Sequence, residues 1–222
     1  EITDRLEPEV LSTLLNSYLN EMSKIALKYG GTIDKFVGDA ILIFFGDPET
    51  KGDKEDAYSC VLMALEMQER MHHLKNLWEG QGITNPLEIR IGINTGYCNV
   101  GNFGSENRLD YTIIGGEVNW ASRLESSEKT GQILISQETY ALIKKNIVCE
   151  KKDEIKVKGI AHKIQTYQVV GSYKNIAQKR KILNEEFDGF NLNIDLNISK
   201  KNKVITSLEN TLKQLKKTEK SK

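Results

Sequence analysis

Behind Pro8, apolar residues recur at helical spacing as Val10, Leu14, Leu15, Tyr18, Met22 and Ile25, predicting a helix that stops at Gly30-Gly31. Residues 33–37 and 40–45 then read as two strands, with Gly38-Asp39 as the hairpin turn between them. A polar loop containing Pro48 and Gly52 follows. From Asp56 to about Leu77, helical periodicity returns through Val61, Ala64, Leu65 and Met71. After a break at residues 80–86, residues 87–96 alternate with Ile89, Ile91 and Ile93 on one face, and residues 97–100 are expected as their hairpin partner.

Residues 110–114 read as a short strand that runs through Gly115-Gly116 into an amphipathic helix at 118–126. A strand at 133–135, a helix at 137–145 and a last hairpin of 148–158 with 164–170 around Gly159 complete the pattern. Helices and hairpins mixed in this order predict an α+β fold around one mainly antiparallel sheet. Beyond Ser172 the character shifts. Phe190, Leu192, Ile194 and Leu196 alternate with polar residues as in a half-buried strand, and Val204, Leu208, Leu212 and Leu215 space a lysine-rich helix. This part reads as an appendage that packs on its own domain or on a partner.

Composition narrows the function classes. Thirty-one basic and 31 acidic residues cancel, so no global field draws the chain to nucleic acid or an anionic membrane. The lysines of residues 200–222 lack interleaved aromatics and read as a solvated tail. Cys60, Cys98 and Cys149 are odd in number and form no CxxC pair, so a disulfide framework or zinc site is not expected and a reducing cytoplasm fits. No apolar run approaches the roughly 20 residues that span a bilayer. The chain opens with Glu1 rather than Met, so it is expected to be cut from a longer protein, whose own membrane anchoring stays open.

Candidate chemistry begins at the first hairpin. Its turn puts one carboxylate, Asp39, at a rigid tip near water, which suits a Mg²⁺ ligand facing a phosphate. A Gly-Asp pair is also simply a good turn. The segments GTIDKFVGDAILIFF, LEIRIGINTGYCNVGNFGS and DYTIIGGEVNWASRLE together change that balance. In unbroken order over about residues 2–170, they resemble the class III nucleotidyl cyclases.

The resemblance implies a ferredoxin-like, palm-type antiparallel sheet flanked by helices, with its first strand missing. Residues 1–172 would form the truncated catalytic domain and 173–222 a strand-helix extension. It also implies closure of ATP to cyclic AMP and pyrophosphate in a head-to-tail homodimer, with two Mg²⁺ or Mn²⁺ ions per site and an upstream regulatory domain. Asp39 matches one of two metal-binding aspartates. The other normally lies on a strand before this chain begins, so little turnover is expected of the fragment alone. Lys35 and Thr112 match the purine-binding positions; a lysine can donate to adenine N1 and a hydroxyl can accept from its amine. Guanylyl members carry glutamate where Lys35 stands, so the lysine points to ATP. Threonine rather than aspartate at 112 resembles the bicarbonate-responsive bacterial branch.

Asn119 and Arg123, four residues apart, would share one helix face. The resemblance assigns Asn119 to the ribose and Arg123 to the α-phosphate, a task that suits a permanently charged planar fork. The competing reading of Arg123 is an ion pair with Glu125 or Glu128. Lys158 matches a lysine that reaches the terminal phosphates. Tyr97 stands where some members carry an arginine. Phe36 and Phe44 read as core, and His72, His73 and His162 as surface residues. A guanylyl cyclase and a non-catalytic domain that binds nucleotide or only dimerises are the alternatives.

Overall fold

Pro8 opens helix α1 (Pro8–Tyr29) at a position where a missing N–H costs no hydrogen bond, and Gly30 closes it in the left-handed region at φ 85°. The computed structural model describes residues 7–83, 86–155, 165–173, 182–187, 190–195 and 201–219. They fall into two units, Glu1–Ser172 and Tyr173–Lys222.

In the first unit, Leu14, Tyr18, Met22 and Ile25 form the buried stripe of α1. It packs against helix α2 (Asp53–Gly80), which is buried on two sides. Met63, Met67, Met71, Leu74 and Trp78 join the α1 cluster, whereas Ala57, Val61 and Ala64 belong to a second cluster with Ile93, Ile133, Ile135 and Ile147. Each large apolar side chain buried this way contributes about 1.5–3 kcal/mol relative to exposure. Polar groups tie the same helices at their surface: Glu66 accepts from Lys28 and from the Tyr29 hydroxyl, both at 2.6 Å, and Arg70 pairs with Glu21 at 2.6 Å.

Strands β1 (Thr32–Val37) and β2 (Ala40–Phe44) form the expected antiparallel hairpin, with Val37 opposite Ala40. Ile33, Ile41 and Ile43 pack against the α1–α2 core. The next part departs from expectation. Strand β3 is only Ile91–Ile93, and it pairs in parallel with β6 (Ile133–Ser136). Residues 97–100 are not its hairpin partner: β4 (Asn99–Ser105) pairs instead with β5 (Arg108–Ile114) across a turn at Glu106-Asn107. Alternation reports which face of a strand is apolar and says nothing of its neighbour. Pairing β3 with β6 places Ile91 opposite Ile133 and Ile93 opposite Ile135, completing the second core.

Helix α3 (Gly116–Ser127) lies between β5 and β6 in sequence and covers β3. The two backbones touch at Gly92, where any side chain would strike the Ala121 carbonyl and the Glu125 amide. Helix α4 (Gln137–Ile143) is capped by the Ser136 hydroxyl, which accepts the Thr139 N–H. Strands β7 (Ile147–Lys151) and β8 (Thr166–Ser172) pair antiparallel and complete a four-stranded sheet in the order β3-β6-β8-β7. The α+β, palm-like class stands. The expected single sheet is instead, among the described residues, this mixed sheet plus separate hairpins.

The second unit pairs β9 (Ile182–Phe187) with β10 (Phe190–Asp195) and contains helix α5 (Lys201–Glu219). The pattern at residues 190–196 predicted β10; the two glutamates of ILNEEF hid its partner. No helix among the described residues is long and apolar enough to cross a membrane.

Candidate active site

The β1–β2 turn has Gly38 at φ 65° with no positive φ at Asp39, the sign pattern of a type II′ hairpin, which holds the carboxylate out at the tip. Asp39 is exposed, and its charge reaches the buried Tyr18 of α1. Burial, with this negative charge added, pushes the Tyr18 phenol up to about 12.

Asp34 is the extra residue of a bulge. Ile33 lies opposite Ile43 and Lys35 opposite Leu42, so β1 spends one more residue than β2 between these pairs. Without the bulge, the two-residue period would place Lys35 on the core face beside Ile33. With it, Lys35 emerges on the outer face, its side chain 45% exposed, while that of Asp34 is 1% exposed. The buried carboxylate turns to β5. The Thr112 hydroxyl donates to Asp34 Oδ2 at 2.7 Å, and the Ile113 N–H reaches the same oxygen at 3.4 Å. Asp34 Oδ1 accepts no hydrogen bond and sits 3.5 Å from Lys35 Nζ. The structure thus brings Lys35 and Thr112 to one carboxylate, five residues upstream of Asp39. Sequence reasoning missed Asp34; the signal was two adjacent polar residues, Asp34-Lys35, interrupting strand alternation.

Phe44 is core, but Phe36 is 49% exposed and is not. Val37, Leu109 and Ile114 are exposed as well. Tyr111, also exposed, donates its hydroxyl to Asp47.

Helix α3 presents Asn119 and Arg123 outward and anchors itself through Leu124, which is 1% exposed. Neither acid weighed as a partner for Arg123 holds it. Glu125 pairs with Arg90 at 2.5 Å, Glu128 accepts the Lys129 N–H, and no ion pair binds Arg123 among the described residues. No hydrogen bond or ion pair found among the described residues joins Asn119 or Arg123 to the Asp34 group. Tyr97 is fully exposed and His72 and His73 are exposed, while Lys158 and His162 lie outside the described residues.

Residues 1–171 match the family described as Adenylate and Guanylate cyclase catalytic domain. The chain is a class III nucleotidyl cyclase domain. A crystal structure of the adenylyl cyclase CyaB from P. aeruginosa is 62% identical with a TM-score of 0.76, covering 78% of this chain and 88% of that one. The guanylyl cyclase Cya2 is 36% identical with a TM-score of 0.72, over 77% and 85% of the two chains. Adenylate cyclase 1 of Rhizobium meliloti (strain 1021) is 30% identical over 77% of this chain, which spans 25% of that relative's length. The cyclase domain holds, among its described residues, no group of three or more His, Cys, Asp or Glu able to bind a metal. Asp39 is a hard oxygen donor of the kind Mg²⁺ and Mn²⁺ take, and fits as one ligand of such an ion.

Proposed function

We propose that residues 1–172 form an adenylyl cyclase catalytic domain, extended by residues 173–222, which converts ATP to 3′,5′-cyclic AMP and pyrophosphate. The observation that carries this reading is the meeting of Lys35 and Thr112 at one buried carboxylate, close in sequence to the hairpin-tip acid. A lysine and a hydroxyl placed together match the donor and acceptor that adenine's edge requires. The 62% identity with an adenylyl cyclase supports the same substrate.

In the proposed reaction the ribose 3′-oxygen bonds to the α-phosphorus while the bond to the bridging oxygen breaks. Pyrophosphate leaves with that electron pair and the hydroxyl proton passes to solvent. Arg123, which has no ion pair among the described residues, would meet the charge growing on the α-phosphate, and Asn119 would orient the ribose from the same helix face. Lys158 would reach the terminal phosphates. Asp39 would hold a divalent cation, which when bound supplies a lowered hydroxyl pKa and neutralised phosphate charge. Because no hydrogen bond or ion pair among the described residues links Arg123 or Asn119 to the Lys35–Thr112 group, a head-to-tail pair of chains is the arrangement that would unite them. Phe36, Val37, Leu109 and Ile114 are exposed apolar side chains that such a pair would cover.

Protein carrying this chain, supplied with Mn²⁺ and either ATP or GTP, tests the reading when cyclic nucleotide and pyrophosphate are both quantified. Cyclic AMP with an equal amount of pyrophosphate is expected. Cyclic GMP as the main product would assign it instead to the guanylyl class that Cya2 represents. Nucleotide binding with neither product would make it a domain that binds without catalysis.

A further inference from the structure

We propose that Asp34 sets purine choice by fixing the direction of the Thr112 hydroxyl and the position of the Lys35 ammonium. The proposal rests on the reading above, that Lys35 and Thr112 face the base. A hydroxyl has one hydrogen and two lone pairs. The only hydrogen of Thr112 goes to Asp34 Oδ2 at 2.7 Å, in a site where Thr112 is 6% exposed and the Asp34 side chain 1% exposed. Withdrawing it would leave a buried anionic oxygen short of a donor, which is costly. Thr112 therefore offers the base lone pairs alone. It accepts from the exocyclic amine of adenine and meets the carbonyl oxygen of guanine with another acceptor. Threonine and the carboxylate behind it thus do together what an aspartate facing the base would do by itself.

The second oxygen acts on the lysine. Asp34 Oδ1 is buried without a hydrogen bond and lies 3.5 Å from Lys35 Nζ. Its charge holds the ammonium on the Thr112 side of β1, leaving N–H groups free for a ring nitrogen of the purine. The bulge makes this possible, because it lets neighbouring residues act together: Asp34 turns inward to β5 while Lys35 stays outside. Asp34 is accordingly a positioning residue, acting on the base through Thr112 and Lys35.

The test is competition between ATP and GTP in the full-length protein that carries the chain, read as the ratio of the two kcat/KM values. Asp34→Ala frees the Thr112 hydroxyl to donate, and the ATP:GTP ratio is expected to fall about tenfold, the worth of roughly one directed hydrogen bond. Asp34→Asn, nearly the same shape, is expected to lower the ratio too, and decides the matter if the alanine variant does not fold. In a Thr112→Val background the Thr112-dependent part of either change should vanish. If Asp34 only braces the β1–β5 junction, both substrates lose rate equally and the ratio stays put, which overturns the proposal. Lys35→Glu and Thr112→Val separate the two ideas. Should they leave the ratio untouched, the purine reading itself fails; should they shift it while both Asp34 variants do not, only the role of Asp34 fails.

Discussion

The Asn94 side-chain amide donates to both the carbonyl and the carboxylate of Glu117, at 3.1 and 2.7 Å, tying the end of β3 to the first turn of α3. Glu117 also sits where the helix dipole favours an acid. This tether fixes the end of the helix that carries Asn119 and Arg123. Asn94→Ala is therefore expected to cost about 1 kcal/mol of stability by urea unfolding. It should also lower turnover more than it weakens nucleotide binding, because it disturbs orientation more than contact area. An unchanged kcat would remove the tether from the catalytic argument.

Leu124 anchors the other side of the same helix and is 1% exposed. Leu124→Ala should destabilise the fold by about 2–5 kcal/mol, from lost transfer energy and the cavity left behind. Denaturant midpoints at constant m-value would measure it. A loss under 1 kcal/mol would mean that α3 collapses into the space.

Arg123 is exposed, carries no ion pair among the described residues, and shares its helix face with Asn119. Replacing it should therefore cost almost no stability while lowering kcat by about a hundredfold or more, as loss of a transition-state donor does. Arg123→Lys should rescue little, since an ammonium lacks the planar fork. Near-normal rates in Arg123→Ala would end its assignment to the α-phosphate.

Acid should loosen the α1–α2 contact. Hydrogen bonds from Lys28 and then Tyr29 hold the Glu66 carboxyl below the usual range, and Lys24 and then Arg70 do the same for Glu21. A depressed folded-state pKa means that the unfolded chain takes up protons first. The stabilisation is thus complete above the ordinary glutamate value of about 4.3 and fades as pH falls through the lower folded values. Melting temperature followed from pH 7 to 3 should drop more steeply for the parent chain than for Glu66→Gln. Parallel curves would dismiss the linkage.

Burial pushes the Cys60 thiol up to about 12, and all three cysteines are free. Iodoacetamide at pH 8 should leave Cys60 unmodified until urea unfolds the protein, as peptide mass spectrometry would show. Rapid labelling in the native state would indicate local opening between α2 and its neighbours.

Local features of the chain were legible because their physics is local. Pro8 and Gly30 bound α1 by their own backbone preferences, and Gly38-Asp39 makes its hairpin from adjacent residues. The face shared by Asn119 and Arg123 follows from helical spacing. What spacing could not reveal was which strand β3 would join, because a parallel partner some forty residues away leaves no mark on alternation. Nor could it reveal that α2 serves two cores, which blurs its stripe. The inserted residue at Asp34 left only a break in alternation, the adjacent polar pair Asp34-Lys35. A bulge exists only relative to the opposite strand, and this one reverses the face of Lys35 and sends a carboxylate inward to Thr112. The sequence by itself determined the helices, the first hairpin and the residue types able to handle a nucleotide, since each depends on near neighbours. Tertiary structure alone decided how Lys35 and Thr112 meet, because strand register and burial arise only when distant segments pack.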